Sequence, residues 1–348
     1  MKNKNNKISK NMNVKICLIG KGVVGTNFLQ LIYNKRDIFK QKFNLNIIIT
    51  SIFESGGALI NDNGINIKEV LEASSNFKSL PDWKADVTAI DGLSSINADI
   101  CIEATPTNSK TGEPGLTHII NALNNHMDVI SSNKGPFYLQ YYKIKDIAEK
   151  NNRLVKYDAT VASCVPSLGI KEHLMGNEIL SIKAILNGTN NFILSRMTAE
   201  GVEFSLALSE AQELGYAESD PTLDIEGFDA AGKIVILAND LLGWSKSIQD
   251  VKIEGITKIT PHTIDLAKSD GFVIKHLAIA EHNELLVEPR LIERHSPLNI
   301  SGNLNVIELD TKFAGSIILM GRGAGGPEAA SALINDLLSI IKHRRYSD

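Results

Sequence analysis

The sequence predicts an α/β chain in which a doubly wound parallel sheet is followed by a second, α+β domain. Three features support this fold class. Up to about residue 160, short apolar segments alternate with helical patterns, as they do in βαβ units. Beyond that point, longer helical patterns are followed by strands that are separated by turns. Three glycines follow the first apolar segment, at the end of a strand where a parallel sheet binds its ligand.

In the first half, apolar segments of strand length are separated by patterns that repeat at helical spacing. We predict strands at 14–20, 44–50, 98–105, 127–132 and 153–159, and helices at 23–34, 66–75, 115–125 and 138–151. The stretch ESGGAL after the second strand predicts a glycine-rich turn. Strands that are joined through helices run parallel, so these elements predict one parallel sheet.

The second half has a different pattern. We predict helices at 165–175, 189–200, 203–214 and 224–242, and a last helix at 328–343. Residues 272–321 contain four strand-like segments, GFVIKHLAIAE, ELLVEPRLIE, LNVIELD and GSIILMG. Because consecutive strands with short turns run antiparallel, this half predicts an α+β domain with an antiparallel sheet.

The composition excludes several classes of function. The 348 residues carry a formal net charge of −4, which provides no basic surface for nucleic acid. No apolar run reaches the roughly 18 residues of a membrane-spanning helix, and the first eleven residues lack the apolar core of a secretory signal. The three cysteines are too widely spaced for a metal site or a disulfide framework. We therefore expect a cytoplasmic protein that binds small molecules or further copies of itself.

The glycine motif GKGVVG stands between a predicted strand and a predicted helix. Gly20 permits the tight turn, Gly22 lets a pyrophosphate approach the backbone, and Gly25 lets the helix pack closely on the strand. The N–H groups of Val23 and Val24, at the start of the helix, would face the phosphates. This context predicts a Rossmann-type dinucleotide site rather than a plain turn.

The choice between NAD and NADP depends on the end of the second strand. In this fold an acid there binds the ribose 2′-hydroxyl, or a basic residue binds a 2′-phosphate. The nearby acid is Glu54, and the stretch TSIFESGGAL contains no Arg or Lys. This favours NAD. A solvated turn acid is an equally good interpretation of Glu54, so NADP stays open.

Two polar stretches follow strands and therefore belong to the carboxyl edge of the predicted sheet, where ligands bind. EATPTNSKTGEPG places Thr105 at one strand tip, and SSNKGPF places Lys134 at the same edge. A single lysine is usually a solvated surface residue, but this position favours a role in the site.

The stretch YDATVASCVPSLG is a run of small residues with one carboxylate, that of Asp158. An irregular loop before Pro166 would expose its backbone carbonyl oxygens. Carbonyl oxygens and one carboxylate are suitable ligands for a hard cation such as Na⁺. The alternative is an ordinary tight connection between the two domains.

The stretch GYAESDPTLDIEGFDAAGK is rich in acids that precede a single lysine, Lys233. These acids are Glu218, Asp220, Asp224, Glu226 and Asp229. Asp229 and Lys233 are four residues apart in a helical pattern, so they share one face. The apolar helix that follows indicates a half-buried Lys233, which would lose its charge readily and suit proton transfer with a substrate hydroxyl. The acids would bind a substrate ammonium. The alternative is an exposed ion pair on a solvated helix.

These features divide the chain into four parts. We predict a flexible tail over 1–12, a dinucleotide-binding domain over 13–160, a substrate-binding and dimerisation domain over 161–320, and a C-terminal helix over 321–348 that returns to the first domain. The GRGAGG stretch before the last helix would touch the cofactor or simply cap the helix. Translation would start at Met1 or at Met12.

Six segments together resemble the homoserine dehydrogenase family. They are GKGVVG, EATPTNSKTGEPG, SSNKGPF, LNGTNNFILSRM, AQELGYAESDPTLDIEGFDAAGK and GRGAGG. They span nearly the whole chain in the family's order, and the chain looks like the short form without a regulatory domain. The resemblance implies reversible oxidation of L-homoserine to L-aspartate 4-semialdehyde with NAD or NADP, in threonine, isoleucine and methionine biosynthesis. It also implies a homodimer or homotetramer.

The resemblance implies roles for five charged residues at matching motif positions. Lys233 matches the family's proton-transfer lysine, and Lys134 matches a second lysine on the cofactor side. Glu218 and Asp229 match the acids that bind homoserine, and Asp224 lies where the family has another acid of the site.

The resemblance also implies contacts to the cofactor and to a cation. Thr105 and Gly325 match cofactor contacts. The family's sodium ion would be held at Asp158, Val161, Ser163 and Val165. This chain departs from the family there, because Asp158 replaces a glutamate and VASC replaces a glycine-rich turn.

Two other functions are compatible with a dinucleotide site. An aldehyde dehydrogenase would use Cys164 as a covalent nucleophile, although cysteine is also a common small buried residue. Phosphate-independent aldehyde reduction that survives Cys164→Ser would exclude it. An NADH-sensing regulator would need a basic DNA-reading module, and the chain has no basic segment of domain size.

Overall fold

The computed structural model describes residues 11–347, in which two sheets form the framework. The first sheet has seven strands in the order β4-β3-β2-β1-β5-β6-β7. Their bounds are β1 (Met12–Ile19), β2 (Leu45–Glu54), β3 (Gly57–Ile60), β4 (Trp83–Ala85), β5 (Ile100–Glu103), β6 (Asp128–Ser131) and β7 (Val155–Lys156). β1 pairs in parallel with β2 and β5, and parallel pairing continues through β6 to β7. These five strands confirm the predicted parallel sheet.

The ESGGAL stretch is a hairpin rather than a simple turn. β2 turns at residues 55 and 56 and returns as β3, which pairs antiparallel with β2 and with β4. Gly56 has a φ of +88°, a left-handed conformation that a tight hairpin turn requires and that glycine adopts readily. The β2 side of the sheet therefore ends in two antiparallel strands.

The second sheet has six strands in the order β13-β12-β8-β10-β11-β9. Their bounds are β8 (Ile179–Ile185), β9 (Val251–Ile253), β10 (Phe272–Glu281), β11 (Glu284–Glu293), β12 (Leu304–Thr311) and β13 (Gly315–Arg322). The four strands that we predict between 272 and 321 are confirmed as β10 to β13. The sequence analysis missed β8, an inner strand of this sheet, because Lys183 interrupts its apolar pattern, and it missed the three-residue β9.

Twelve α-helices connect or cover the sheets within the described residues. They are α1 (Val23–Phe43), α2 (Ile67–Glu72), α3 (Ala89–Gly92), α4 (Gly115–Asn124), α5 (Gly135–Lys150), α6 (Ala159–Ala162), α7 (Gly188–Glu200), α8 (Phe204–Glu213), α9 (Thr222–Ile225), α10 (Phe228–Leu241), α11 (Pro261–Ser269) and α12 (Gly326–Ser347). Short 3₁₀ helices cover Ser74–Ser79, Leu93–Ser95, Gly169–His173 and Ile248–Asp250.

Two predicted helices differ from the structure in continuity or in helix type. The helix that we predict over 224–242 is divided into α9 and α10, because Gly227 between them has a φ of +90°. This left-handed residue ends one helix and lets the next begin in a new direction. The helix that we predict over 165–175 is a 3₁₀ helix of five residues, Gly169–His173.

Both faces of the first sheet are buried, as a doubly wound fold requires. Ile16 and Leu18 of β1 lie in one apolar cluster with residues of α1 and α12. Cys17 and Ile19, which point to the opposite face, lie in a second cluster with residues of α4, α5 and α10. This second cluster continues onto the second sheet and includes Ala278 of β10.

The C-terminal helix packs on the first sheet. Leu333 and Leu337 of α12 are fully buried in the same cluster as Phe28 of α1. Near the end of α12, Arg344 Nε donates a hydrogen bond of 3.0 Å to the carboxylate of Asp128 at the start of β6. Met12, which we predict to lie in the tail, is the first residue of β1, and residues 1–10 of that tail lie outside the described residues. The division into four parts stays a prediction.

Within the part of the chain that the structure describes, no helix has both the length and the apolar character needed to cross a membrane.

Replacing Arg344 with Met is expected to lower the free energy of unfolding by about 2 kcal/mol, since Asp128 would lose a charged partner. Asp128 is 4% exposed, so water replaces that partner poorly. Urea denaturation measures the change. Lys342→Met, at an exposed position of the same helix, is the control and should stay within about 0.5 kcal/mol of the wild type. Equal stability of the Arg344 variant would show that the ion pair does not hold α12.

Candidate active site

The glycine loop has the geometry that the sequence predicts. Gly20 has a φ of +91°, and a Cβ atom there would lie 2.7 Å from the carbonyl oxygen of Ala104. A Cβ atom on Gly25 would lie 2.0 Å from the carbonyl oxygen of Gly20, so α1 crosses the loop at a distance that excludes larger residues. The loop therefore brings the start of α1 against the tips of β1 and β5.

The start of α1 is an open cradle of backbone N–H groups. Gly22 is the N-cap of α1, makes no side-chain capping bond, and has open space where a Cβ atom would stand. The first N–H groups of a helix, here those of Val23 and Val24, have no partner within the helix. Their partial positive charge suits the pyrophosphate of a dinucleotide, so the residues present fit this group.

The GRGAGG stretch lies against the same cradle. A Cβ atom on Gly326 would meet Val23 Cγ1 at 2.6 Å and Asn27 Nδ2 at 2.7 Å. Gly325, the predicted cofactor contact, has a φ of +130° and precedes this contact directly. The segment before α12 thereby packs beside the start of α1.

Buried polar residues organise the tips of β5 and β6. The carboxylate of Glu103 is completely buried and accepts hydrogen bonds from the Thr105 hydroxyl and, at 3.2 Å, from the Ser131 hydroxyl. Asn133 donates to the Thr105 hydroxyl at 3.2 Å and accepts from the N–H of Gly135 at 3.2 Å. This network holds the turn from which Lys134 projects, and sequence reasoning missed Glu103 and Asn133. An acid at the end of an apolar strand was the available signal.

The centre of the site is the carboxylate of Asp229, at the start of α10. Its Oδ1 accepts a hydrogen bond from Lys134 Nζ, at the N-terminus of α5. Its Oδ2 lies 2.7 Å from Lys233 Nζ, one turn further along α10. Lys233 Nζ also donates to the carbonyl oxygen of Leu186, at 2.8 Å. The structure thus brings together the three charged residues that the sequence places on two separate segments.

Asn187 positions two of the predicted acids. It is the N-cap of α7, and its side-chain oxygen accepts from the N–H of Asn190 at 2.9 Å. Its side-chain nitrogen donates to Asp224 at 2.7 Å and to Asp229 at 3.0 Å. Asn187 directly follows Leu186, at the end of the missed strand β8. The LNGTNNF segment therefore contributes an amide that the sequence analysis did not assign.

The surroundings of the two lysines shift their pKa values in opposite directions. Burial acts to lower the pKa of Lys134, but the charge and hydrogen bond of Asp229, together with Asp224 and Tyr138, outweigh burial and raise the pKa. Burial lowers the pKa of Lys233 further than Asp229 raises it, and the positive charge of Lys134 adds to the lowering. Burial also acts to raise the pKa of Asp229, but both lysines together hold it well below its usual range. At neutral pH, Asp229 is therefore ionised and Lys233 is the more easily deprotonated lysine.

Of the other acids of the 215–233 segment, Asp224 belongs to this cluster, whereas Glu218 and Asp220 make no hydrogen bond or ion pair with it among the described residues. Burial and the charge of Asp229 raise the pKa of Asp224, which the bond from Asn187 partly offsets. The side chain of Glu218 is exposed and makes no hydrogen bond or ion pair within the residues that the structure describes. Asp220 accepts hydrogen bonds from the Thr222 hydroxyl at 2.6 Å and from the Thr222 N–H at 3.2 Å, so it holds the turn before α9.

The predicted cation site has a carboxylate that is already hydrogen-bonded. Asp158 accepts bonds from the Ser167 hydroxyl at 3.0 Å and from the N–H groups of Leu168 at 2.9 Å and Gly169 at 3.3 Å. The structure therefore gives Asp158 the role of holding the 167–169 turn.

The other predicted cation ligands lie on the chain that joins α6 to this turn. Val161 belongs to α6, and the carbonyl oxygen of Val165 accepts from the N–H of Ser167 at 2.6 Å. Ser163 donates its hydroxyl to the carbonyl oxygen of Gly323 at 3.2 Å. A cation at Asp158, Val161, Ser163 and Val165 stays a prediction.

Cys164 is exposed beside the GRGAGG stretch. Its thiol contacts the carbonyl oxygen of Arg322 at 3.7 Å, an acceptor that does not activate a nucleophile.

The sequence is similar to those of known proteins. A sequence model of the homoserine dehydrogenase family matches residues 167–338. A homoserine dehydrogenase of Methanocaldococcus jannaschii is 41% identical, over 93% of this chain and 98% of that protein. An NAD(+)-dependent homoserine dehydrogenase of Pseudomonas canavaninivorans is 35% identical, over 94% and 96% of the two chains.

The three-dimensional structure is similar to a solved one. It superimposes on a hyperthermophilic archaeal homoserine dehydrogenase in complex with NADPH with a TM-score of 0.83. That similarity covers 95% of this chain and 98% of the archaeal one, at 26% identity. The two sheets thus belong to a known architecture. This chain is a member of the homoserine dehydrogenase family.

Proposed function

We propose that this chain catalyses the reversible NAD- or NADP-dependent oxidation of L-homoserine to L-aspartate 4-semialdehyde at the cluster around Asp229. The observation that carries the proposal is the bridge that Asp229 forms between Lys134, next to the tip of β6, and Lys233 on α10. This bridge supports a role for Lys233 as the proton acceptor at the carboxyl edge of the dinucleotide sheet. In its pathway the reaction is a step towards threonine, isoleucine and methionine.

The glycine loop would hold the cofactor. Gly20, Gly22 and Gly25 shape the loop, and the N–H groups of Val23 and Val24 would bind the pyrophosphate. Thr105, Lys134 and Gly325 would contact the rest of the cofactor. A bound nicotinamide dinucleotide supplies the ring that takes up hydride from the alcohol carbon. Relatives described as NAD(+)-dependent and as an NADPH complex support both cofactors.

Lys233 is suited to take the hydroxyl proton. Its lowered pKa makes the neutral amine accessible, and two fixed acceptors, Asp229 and the carbonyl oxygen of Leu186, orient the nitrogen. Lys134 keeps its charge, because Asp229 raises its pKa. Two neighbouring lysines with opposite shifts suit two roles, a base and a cation that polarises the substrate oxygen.

The acids of the site would hold the amino group of homoserine. Asp224 lies beside Asp229 through their shared partner Asn187, and Glu218 has an exposed carboxylate that is free to bind. Asp229 would bind the two lysines and also the amino group of the substrate. With Glu218, the site would offer three carboxylates for two lysines, a net negative charge that attracts an ammonium.

We also propose a cytoplasmic homodimer or homotetramer. Cys17, Cys101 and Cys164 form no disulfide within the described residues, which suits a reducing compartment. Ile318 and Met320 project from the same face of β13 and are 37% and 59% exposed, as expected for a surface that a second copy covers.

Replacing Lys233 with Met should lower kcat by about 10²–10⁴-fold, the usual contribution of a general base. The affinity for NADH should change by less than about twofold, because the glycine loop is untouched. Steady-state rates with homoserine and NADH fluorescence titration measure the two quantities. Lys183→Met, on β8 outside the cluster, is the matched control. An unchanged kcat in the Lys233 variant would reject the assignment.

Replacing Asp229 with Asn should move the pH dependence of homoserine oxidation. The rate rises with pH as Lys233 becomes neutral, and the charge of Asp229 raises the pKa of Lys233. Without that charge, Lys233 loses its proton more easily, so the rising limb of kcat should move to lower pH. Asp220→Asn removes a charge from the same segment and should leave the limb in place. A limb that stays put or moves to higher pH in the Asp229 variant contradicts the role of Lys233.

Replacing Glu218 with Gln should raise the KM for homoserine by about tenfold, the loss of one hydrogen bond to a charged group. The KM for the cofactor and the affinity for NADH should not change. Glu213→Gln, an exposed acid on α8, is the control. If the homoserine KM is the same in both variants, Glu218 does not bind the amino group.

A further inference from the structure

Glu54 is held against the glycine loop by a backbone bond. It is the last residue of β2, and its carboxylate accepts a hydrogen bond from the N–H of Lys21, the second residue of the loop. One carboxylate oxygen thus accepts the bond from the loop. This bond holds the second oxygen near the position where a dinucleotide presents its adenosine ribose. The sequence left a solvated turn acid as an equal alternative, and this anchored geometry favours the ribose acid.

The side chain of Lys21 extends from the same loop to the 3₁₀ helix Ser74–Ser79. Its ammonium donates a hydrogen bond of 3.0 Å to the carbonyl oxygen of Ser74, and it lies 4.7 Å from the centroid of the Phe77 ring. These contacts hold the ammonium between the loop and the 3₁₀ helix Ser74–Ser79. Burial lowers the pKa of Lys21 and the charge of Glu54 raises it, so the two charges interact.

The sequence alone does not reveal this cation. A basic residue that binds a 2′-phosphate is expected after the second strand, and that stretch has none. Lys21 lies 33 positions before Glu54, in the glycine loop, and its N–H bonds the Glu54 carboxylate. The ammonium of Lys21 and the carboxylate of Glu54 therefore interact electrostatically, beside the loop where a dinucleotide presents its ribose.

We propose that Glu54 and Lys21 together set the choice between NAD and NADP, so that the chain binds both cofactors and binds NAD more tightly. Glu54 accepts hydrogen bonds from the ribose hydroxyls and repels a 2′-phosphate. Lys21 offsets that repulsion and retains binding of NADP. The inference rests on the proposed dinucleotide site and deepens it, because it assigns the discrimination between the two cofactors to one pair of opposite charges.

Fluorescence titration of the full chain with NADH and with NADPH, in the absence of homoserine, tests the proposal. Glu54→Gln should strengthen NADPH relative to NADH by about tenfold, the loss of one like-charge contact. Lys21→Met, which keeps an apolar stem over Phe77, should weaken NADPH relative to NADH by about threefold to tenfold. The double variant should lie between the two single ones.

Further arms separate the charge of Lys21 from its other roles. Lys21→Gln keeps a donor for the carbonyl oxygen of Ser74, so it should repeat the shift of Lys21→Met if charge is the cause. Lys42→Met, at the far end of α1, makes the same change in net charge and should leave the ratio unchanged. Competition by AMP and by adenosine 2′,5′-bisphosphate, which differ in the 2′-phosphate, should show the same order of variants.

The outcomes are distinct. A ratio of affinities that does not change in the Lys21 variants, or that moves towards NADPH, overturns the role of Lys21. A ratio that does not change in Glu54→Gln overturns the role of Glu54. If the wild type binds neither dinucleotide, the result contradicts the proposed function itself. This outcome is separate from the other two, because it is measured without any variant.

Discussion

The whole site depends on one buried carboxylate that is shared by two lysines. An ionised Asp229 is favourable in its buried position because Lys134, Lys233 and the amide of Asn187 surround it. The lysines in turn are tolerable there because Asp229 is charged. Such a cluster is costly when one member is removed, so it couples the tip of β6, the start of α7 and the start of α10. The orientation of all three elements is thereby tied to the chemistry of one group.

The packing around this cluster explains why small residues stand next to the charged ones. A Cβ atom on Gly232, directly before Lys233, would lie 2.7 Å from the ring of Tyr138 on α5. The absence of that atom lets α10 and α5 approach closely enough for Lys134 to reach Asp229. Gly227 turns the chain between α9 and α10, so that Asp224 and Asp229 both meet Asn187. The apolar part of α10 then fills the core between the two sheets.

Much of the fold and part of the site could be predicted, because the relevant signals are local. The parallel strands, the glycine loop and the pairing of Asp229 with Lys233 follow from periodicity and spacing. The strand β8 could not be predicted, since Lys183 breaks its pattern, although this strand leads directly to Leu186 and Asn187. The break at Gly227 was also missed, because a single glycine inside an apolar helical pattern does not by itself indicate a left-handed turn.

The sequence by itself determined the order of the elements, the dinucleotide loop and the residues that carry charge, because each depends on neighbours within a few positions. Only the tertiary structure decided which of those charges meet. Lys134 and Asp229 are 95 positions apart, yet their charged groups are in contact. Lys21 and Glu54 are 33 positions apart, and the backbone N–H of Lys21 bonds the Glu54 carboxylate. Glu218, by contrast, remains exposed although it is close to Asp224 in the chain. The physical reason is that contact and burial, and with them the opposite pKa shifts of the two lysines, arise from packing between distant segments.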